Sequence, residues 1–334
     1  MPRNRVAIAC QGGGSHTAFT AGVLQGLLGN MPEDAEIVAL SGTSGGAICA
    51  ALAWDGLVHN DAARAARKLQ EFWHATAATD LWDMVVNHAM MNLMKLRDLM
   101  VLPEVSPYSI PPWGDERFRD ILDQFFDFEE LRHLATSPGA PVLKIGAVEV
   151  LSGHFEVFGG NELRVECLQA SAAIPELFRA VAVPERGVYW DGLFSQNPPI
   201  HDFIEYSIDE LWIIQINPST CARVPTETHE ILDRRNALSG NLSMEQELSF
   251  IDRLNRAIRN GRLSDPSFRP IRVSRISLDR ELGYRSKMDR RPQFLDDMRE
   301  YGKTKCRWFF KEREAKLQML RPSHNGPSAI PPPS

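Results

Sequence analysis

Short apolar runs alternate along the chain with stretches whose apolar positions recur every three or four residues. Arg5-Val-Ala-Ile-Ala-Cys10 is a continuous run of strand length, and Gly12-Gly13-Gly14 follows at once. From Ser15 to Leu28 the apolar residues Ala18, Phe19, Ala21, Val23, Leu24, Leu27 and Leu28 keep a helical spacing that Gly29 closes. The order then repeats. Ile37–Leu40 reads as a second buried strand, Gly42-Thr43-Ser44-Gly45-Gly46 as the next turn, and the Ala-rich Ala47–Trp54 as a helix ending at Gly56. Strand, turn and helix, twice over, predict a parallel sheet with right-handed crossovers, because a hairpin cannot join parallel neighbours.

Further helices are predicted over Asp61–Thr76, Leu81–Met100, Glu116–Phe126, Met244–Ile258 and Phe294–Lys316. Strands are predicted over Val142–Val150, His154–Phe158, Leu211–Ile216 and near Ile271–Ile276. Leu81–Met100 is rich in Met and Leu and leads into a connection holding Pro103, Pro107, Pro111 and Pro112. Such a segment suits a lid or acyl-chain wall, or a helix packed in the core. The Pro- and Ser-rich tail from Pro322 to Ser334 reads as disordered.

Composition narrows the class. The 334 residues are 43% hydrophobic and 24% charged, which excludes disordered, collagenous and coiled-coil chains. No apolar run reaches the roughly 18 residues of a membrane span, and the run after Arg5 is too short for a signal peptide. A cytoplasmic protein, at most peripheral at a membrane, is expected. The five cysteines lack metal-site spacing, which points to reduced thiols. A net charge of −6 disfavours nucleic acid as a partner. The charge is uneven, however: Asp252–Lys316 holds 19 Lys and Arg against 10 Asp and Glu, whereas residues 1–251 hold 17 against 33. This basic region is either a solvated face or a surface for anionic headgroups. No EF-hand loop is present, and no metal or cofactor is expected.

Two turns carry candidate chemistry. Gly42-x-Ser44-x-Gly46 places a serine between a strand end and a helix start, where a strained turn pushes its Oγ outward. An α/β-hydrolase arrangement does not fit, since only 43 residues precede Ser44 and they supply one strand, one helix and a second strand. Gly12-Gly13-Gly14 can turn successive N–H groups towards one point, as a phosphate or a developing oxyanion requires. The dinucleotide pattern fails for want of its third glycine, and a Walker A loop for want of Gly-Lys-Ser/Thr. None of the nine histidines sits in a distinctive motif, although His201 or His229 would serve a triad esterase. Asp191 in Tyr189-Trp-Asp-Gly192, followed by Asn197-Pro-Pro199, is the stronger candidate base.

Together the segments Gln11–Gly14, Ser41–Ala47, Ser106–Tyr108, Ala170–Pro175, Tyr189–Gly192, Gln215–Pro218 and Ser286–Met288 resemble the patatin-like phospholipases, closest to bacterial members. The resemblance implies a three-layer α/β/α fold with a central, mostly parallel sheet and a helical C-terminal extension. It implies a catalytic domain over 1–220 with an insertion near 80–115, a mostly helical region over 221–320, and the tail 321–334. It also implies a serine lipid acyl hydrolase acting on lipid or fatty-acyl esters. Ser44 would be the nucleophile, Asp191 the base, the N–H groups of Gly12, Gly13 and Gly14 the oxyanion hole, and Gly42, Gly46 and Gly192 the supporting turn residues. Three positions depart from the family pattern: His16-Thr17 after the glycine loop, Gly45-Gly46 after the serine, and Leu193 after Asp-Gly. A non-catalytic lipid-binding or scaffold protein on the same fold is the other reading of this pattern.

Overall fold

Strand periodicity builds the centre of the molecule. The computed structural model describes residues 3–79, 83–84, 87–88, 106–175 and 177–320. In it β1 (Asn4–Cys10) sends Val6, Ile8 and Cys10 into one apolar core, and Ala7 and Ala9 into a second core on the opposite face. A strand covered on both faces has no need of polar alternation, which is why it reads as an unbroken apolar run. The chain continues through α1 (Ala18–Gly29), β2 (Ala35–Thr43), α2 (Gly45–Val58), α3 (Ala62–Thr76), α4 (Trp113–Phe125), α5 (Phe128–Ala135), β3 (Val142–Glu149) and β4 (Phe155–Gly159). It then forms α6 (Val165–Ser171), β5 (Val181–Val183), β6 (Gly187–Asp191), β7 (Glu210–Gln215), α7 (Thr228–Arg259), β8 (Arg272–Ser277) and α8 (Pro292–Leu320).

The strands form one sheet in the order β5-β6-β3-β2-β1-β7-β8, with β4 on the other edge of β3. Neighbours from β3 to β8 are parallel, and β4, β5 and β6 are antiparallel additions. Helices α1, α2, α3 and α8 cover one face, whereas Met244, Leu248 and Ile251 of α7 cover the other with Phe203 and Ile208. The result is a three-layer α/β/α fold with a mostly parallel sheet and a helical C-terminal region, as expected. Residues 221–320 also supply β8 to the common sheet. Helices α1 and α8 touch at backbone distance: a Cβ on Gly22 would fall 1.8 Å from the Arg299 carbonyl oxygen. Arg313 reaches both Glu210 and Asp34, and its bonds to Glu210, with those of Arg272 and the Trp212 N–H, hold the Glu210 carboxyl down to about 2 despite its burial.

Some elements differ from their predicted bounds. The helix expected from Ser15 opens as a 3-10 turn, Gly14–Thr17, because Gly14 has φ 57° and cannot start an α-helix. Helix α7 begins at Thr228 rather than near Met244; its first turns expose Ile231, Leu238 and Leu242, so they lack a clean apolar stripe. Apart from residues 83–84 and 87–88, the predicted helix Leu81–Met100 lies outside the described residues, as does the tail from Pro322. Among the described residues, no helix is long and apolar enough to cross a membrane.

Candidate active site

Two strand ends meet on one edge of β3. β2 runs parallel to β3 and ends with Thr43 opposite Gly146. β6 approaches from the other direction, antiparallel, and ends with Asp191 opposite Ala147. β4 pairs with Lys144–Val148 and so occupies the far edge, which leaves β2 and β6 end to end on the near one. The residue after β2 is Ser44. This topology therefore brings Ser44 and Asp191 together across 147 positions of sequence.

Ser44 caps the N-terminus of α2 with φ 57° and ψ −134°, a backbone state that costs a non-glycine residue about 1–3 kcal/mol. The surroundings hold it there. Its N–H donates to Ser171 Oγ at 2.9 Å, and the Ser171 hydroxyl donates to the Gly146 carbonyl at 2.7 Å. Gly46 allows the turn to lie on the end of β1, since a Cβ there would fall 2.4 Å from the Cys10 carbonyl oxygen. Gly42 and Gly192 lie as close to the backbone of Gly46 and Gly146 respectively. The positive end of the α2 dipole points at the serine.

Asp191 is 1% exposed. Its N–H donates to the Ala173 carbonyl, and its Oδ1 accepts the Leu193 N–H at 2.8 Å, which starts the 3-10 turn Gly192–Phe194. Burial pushes the carboxyl up to about 7, against the opposing pull of the Leu193 N–H, the Ser44 hydroxyl and the Lys287 ammonium. A carboxylate that takes up a proton near neutral pH is far better matched to a serine hydroxyl than one near 4.

The glycine turn lies against the serine: a Cβ on Gly12 would fall 2.9 Å from Ser44 Cβ. Gln11 fixes the start of the turn. Its Oε1 accepts from Ile216 N and Asn217 N at 2.8 and 2.7 Å, and its Nε2 donates to the Gly240 carbonyl and to Asn241 Oδ1. The Gly12 N–H donates to Asn197 Oδ1 at 2.7 Å, so it is committed within the protein. The expectation that all three glycine N–H groups face an oxyanion does not hold at Gly12, whose N–H this acceptor takes. The Gly13 and Gly14 N–H groups donate to no protein acceptor among the described residues.

No described imidazole bonds to Ser44 or Asp191. His16 Nε2 pairs with Ser286 Oγ at 2.7 Å, and burial beside Lys287 lowers its pKa to about 3, so the ring stays neutral. His201 stacks on Phe250 with centroids 6.0 Å apart. The side chain of His229 lies outside the described residues.

Residues 8–204 match the family model of the patatin-like phospholipases, more than half of the chain. The chain belongs to the patatin-like phospholipase family. That family hydrolyses lipid acyl esters, and the matched span runs from β1 past β6, through Gly12–Gly14, Ser44 and Asp191. No curated protein sequence matches the chain. Among solved structures, VipD from Legionella pneumophila is similar at 11% identity with a TM-score of 0.43, covering 93% of this chain and 67% of that one. The ExoU–SpcU complex of Pseudomonas aeruginosa contains a similar chain at 15% identity and a TM-score of 0.40, covering 93% of this chain and 52% of that one. The patatin-like chain thus spans about two thirds and half of the lengths of these two proteins.

Four residues around the site carry roles that the sequence did not announce. Ser171, Gln11, Asn197 and Lys287 lie in segments that resemble the family or follow Asp-Gly, but nothing in their spacing says what they touch. Ser171 sits 127 positions from the amide it holds, and Asn197 185 from the glycine it binds. Such pairings are set by strand order, not by local pattern.

Proposed function

We propose that the protein is a serine lipid acyl hydrolase that cleaves phospholipid or lysophospholipid carboxylic esters through a Ser44–Asp191 dyad. The observation that carries this reading is the convergence of a strained serine and a buried carboxyl of raised pKa beside a glycine turn. Asp191 takes the Ser44 proton as Oγ bonds to the ester carbonyl carbon. The Gly13 and Gly14 N–H groups receive the oxyanion, while Gly12, bonded to Asn197, sets the course of the loop. Collapse of the tetrahedral intermediate breaks the ester C–O bond, and the departing alcohol takes the proton back from Asp191. Water then gives a proton to Asp191 and attacks the acyl-serine. The second collapse returns that proton to Ser44 Oγ and releases the fatty acid.

Peripheral contact with a lipid surface fits this chemistry. Phe194, two residues beyond Gly192, is 52% exposed, and Leu238 and Leu242 of α7 are exposed beside the same turn through the Gly240–Leu193 approach. The test is fatty-acid release from mixed vesicles of phosphatidylcholine and phosphatidylglycerol, and from their lyso forms. Wild type should release fatty acid, and Ser44→Ala and Asp191→Asn should not. Vesicle binding with no release by wild type from any of these lipids would favour the non-catalytic reading.

A further inference from the structure

Two stretches of chain meet at Asp191, and each leads to large apolar side chains turned to water. The first begins where the Asp191 N–H donates to the Ala173 carbonyl. Six residues on, Arg179 donates to the Pro107, Tyr108 and Ile110 carbonyls at 3.3, 3.5 and 2.6 Å, and the Ala180 N–H donates to the Tyr108 hydroxyl at 3.0 Å. These bonds clamp the 3-10 turn Pro107–Ser109 onto the segment before β5, and Phe178 of that segment packs on Phe118 of α4 with centroids 6.2 Å apart. What the clamp presents faces outward: Tyr108 is 60% exposed, Ile110 50% and Trp113 72%. Six residues of chain span at most roughly 20 Å, so this group stands beside the dyad.

The second stretch is the 3-10 turn Gly192–Phe194, which follows Asp191 directly and ends on the exposed Phe194. It abuts α7 at Gly240, where a Cβ would fall 3.2 Å from Leu193 Cδ1. Gly240 is on the inner face of the helix. Ile231, Leu238 and Leu242 share the opposite face by helical spacing, and all three are exposed. Single apolar side chains in water need no account, but two groups of them on either side of one site do.

We propose that these two groups are the surface on which the protein docks on a phospholipid bilayer, Tyr108, Ile110 and Trp113 entering it on one side of the dyad and Phe194, Leu238 and Leu242 on the other. The inference rests on the proposed function for its purpose, since an ester buried in a bilayer must reach Ser44; the surface itself stands on exposure and position. The chemistry of the patch selects lipid as its occupant. Trp and Tyr rings have an apolar body and a polar edge, which suits them to the level of lipid headgroups. Each group also holds an arginine that forms no ion pair among the described residues. Arg179 spends its bonds on backbone carbonyls and lies over the Tyr108 ring at 5.7 Å, and Arg235 is exposed on the α7 face between Ile231 and Leu238. A cation set among apolar side chains complements a headgroup phosphate above acyl chains. One bilayer surface can cover both groups and leave the dyad open to it between them.

The test separates docking from chemistry. Ser44→Ala, which binds without consuming lipid, should co-sediment with vesicles of phosphatidylcholine and phosphatidylglycerol. Adding Trp113→Ser with Ile110→Ser should weaken that binding about tenfold or more, the worth of burying a large apolar side chain. In the otherwise wild-type chain the same pair should lower fatty-acid release from these vesicles by a similar factor and leave kcat/KM for water-soluble p-nitrophenyl butyrate unchanged. Leu238→Ser with Leu242→Ser should act in the same way, and it carries the test alone if the first pair does not fold. Unchanged vesicle binding in either folded pair overturns the proposal. So does an equal loss on vesicles and on the soluble ester, which marks damage to the site itself. A dimer in sedimentation velocity that Trp113→Ser with Ile110→Ser dissociates, while vesicle binding persists, overturns it in favour of a second copy of the chain. Wild type that binds vesicles through these side chains but hydrolyses neither substrate would leave the docking surface in place and remove the hydrolase reading.

Discussion

Replacing Asp191 with Asn should make the protein more stable at alkaline pH while removing its activity. The reason is the carboxyl's burial. Its pKa is raised from 3.8 to about 7, so the unfolded chain gives up this proton near pH 4 and the folded chain keeps it to about pH 7. A raised carboxyl contributes stability that is fully present below the unfolded value and is lost as pH rises through the folded one. About three pH units correspond to roughly 4 kcal/mol lost above pH 7. Asparagine mimics the neutral carboxyl and still accepts the Leu193 N–H, and the raised value already contains the pull of Lys287, so the gain above pH 7 is about 4 kcal/mol, or roughly 5–6 °C in a chain of this size. Glu247, which burial also pushes up to about 7, titrates in both proteins and cancels in the comparison. Differential scanning calorimetry at pH 8.5 and pH 5 measures the effect. Asp191→Asn should melt higher than wild type at pH 8.5, and the difference should fall to less than half of that at pH 5. The same offset at both pH values, or a lower melting point at pH 8.5 than at pH 5 relative to wild type, would refute the reasoning. The accompanying loss of ester hydrolysis should be about 10²–10⁴-fold.

Other consequences of the same geometry can be checked directly. Ser171→Ala removes the acceptor for the Ser44 amide and should lower kcat about tenfold with KM little changed, read by steady-state kinetics on a lysophospholipid. Gly14→Ala forces a Cβ onto the Lys287 carbonyl at positive φ and should lower both activity and melting temperature, whereas alanine at Gly139, which also has positive φ but nothing within 4 Å, should lower stability slightly and leave activity intact. Glu210, held down to about 2 by Arg313 and Arg272, contributes stability present above pH 4.5 and lost as pH falls towards 2. Chemical denaturation of Glu210→Gln should therefore show a weaker loss of stability between those values than wild type. Removing one of its cations, Arg313→Met, leaves the buried Glu210 carboxylate to Arg272 and the Trp212 N–H alone and should destabilise by about 3 kcal/mol.

The parts of the molecule that the sequence made legible are those whose signal is local. β1 and β7 are covered on both faces, so their apolar runs stand out, and the glycines around Ser44 mark a turn whose backbone few residues adopt. Ser44 and Asp191 could be named because each sits in a short pattern, but their meeting depends on β6 joining the same edge of β3 as β2, and β6 was not foreseen. It is a five-residue strand in which Trp190 follows a buried Tyr189, too short for alternation to declare itself. The supporting residues were harder still. Asn197 and Lys287 reach Gly12 and Asn217 by hydrogen bonds across 185 and 70 positions, and polar residues in loops carry no periodic mark. The Gly12 N–H could be expected to be available only as long as the side chain that claims it was unknown. The long α7 escaped over its first half because Leu238 and Leu242 face outward, where an amphipathic pattern offers no guide to length.

The most direct test of the account is covalent. A fluorophosphonate carrying an alkyl chain should form one adduct, and mass spectrometry of the digested protein should place it on Ser44. The rate of adduct formation should rise with pH through a midpoint near 7 in wild type and drop by at least a hundredfold in Asp191→Asn. An adduct on a different serine, or Ser44 reacting equally fast with and without the Asp191 carboxyl, would contradict it.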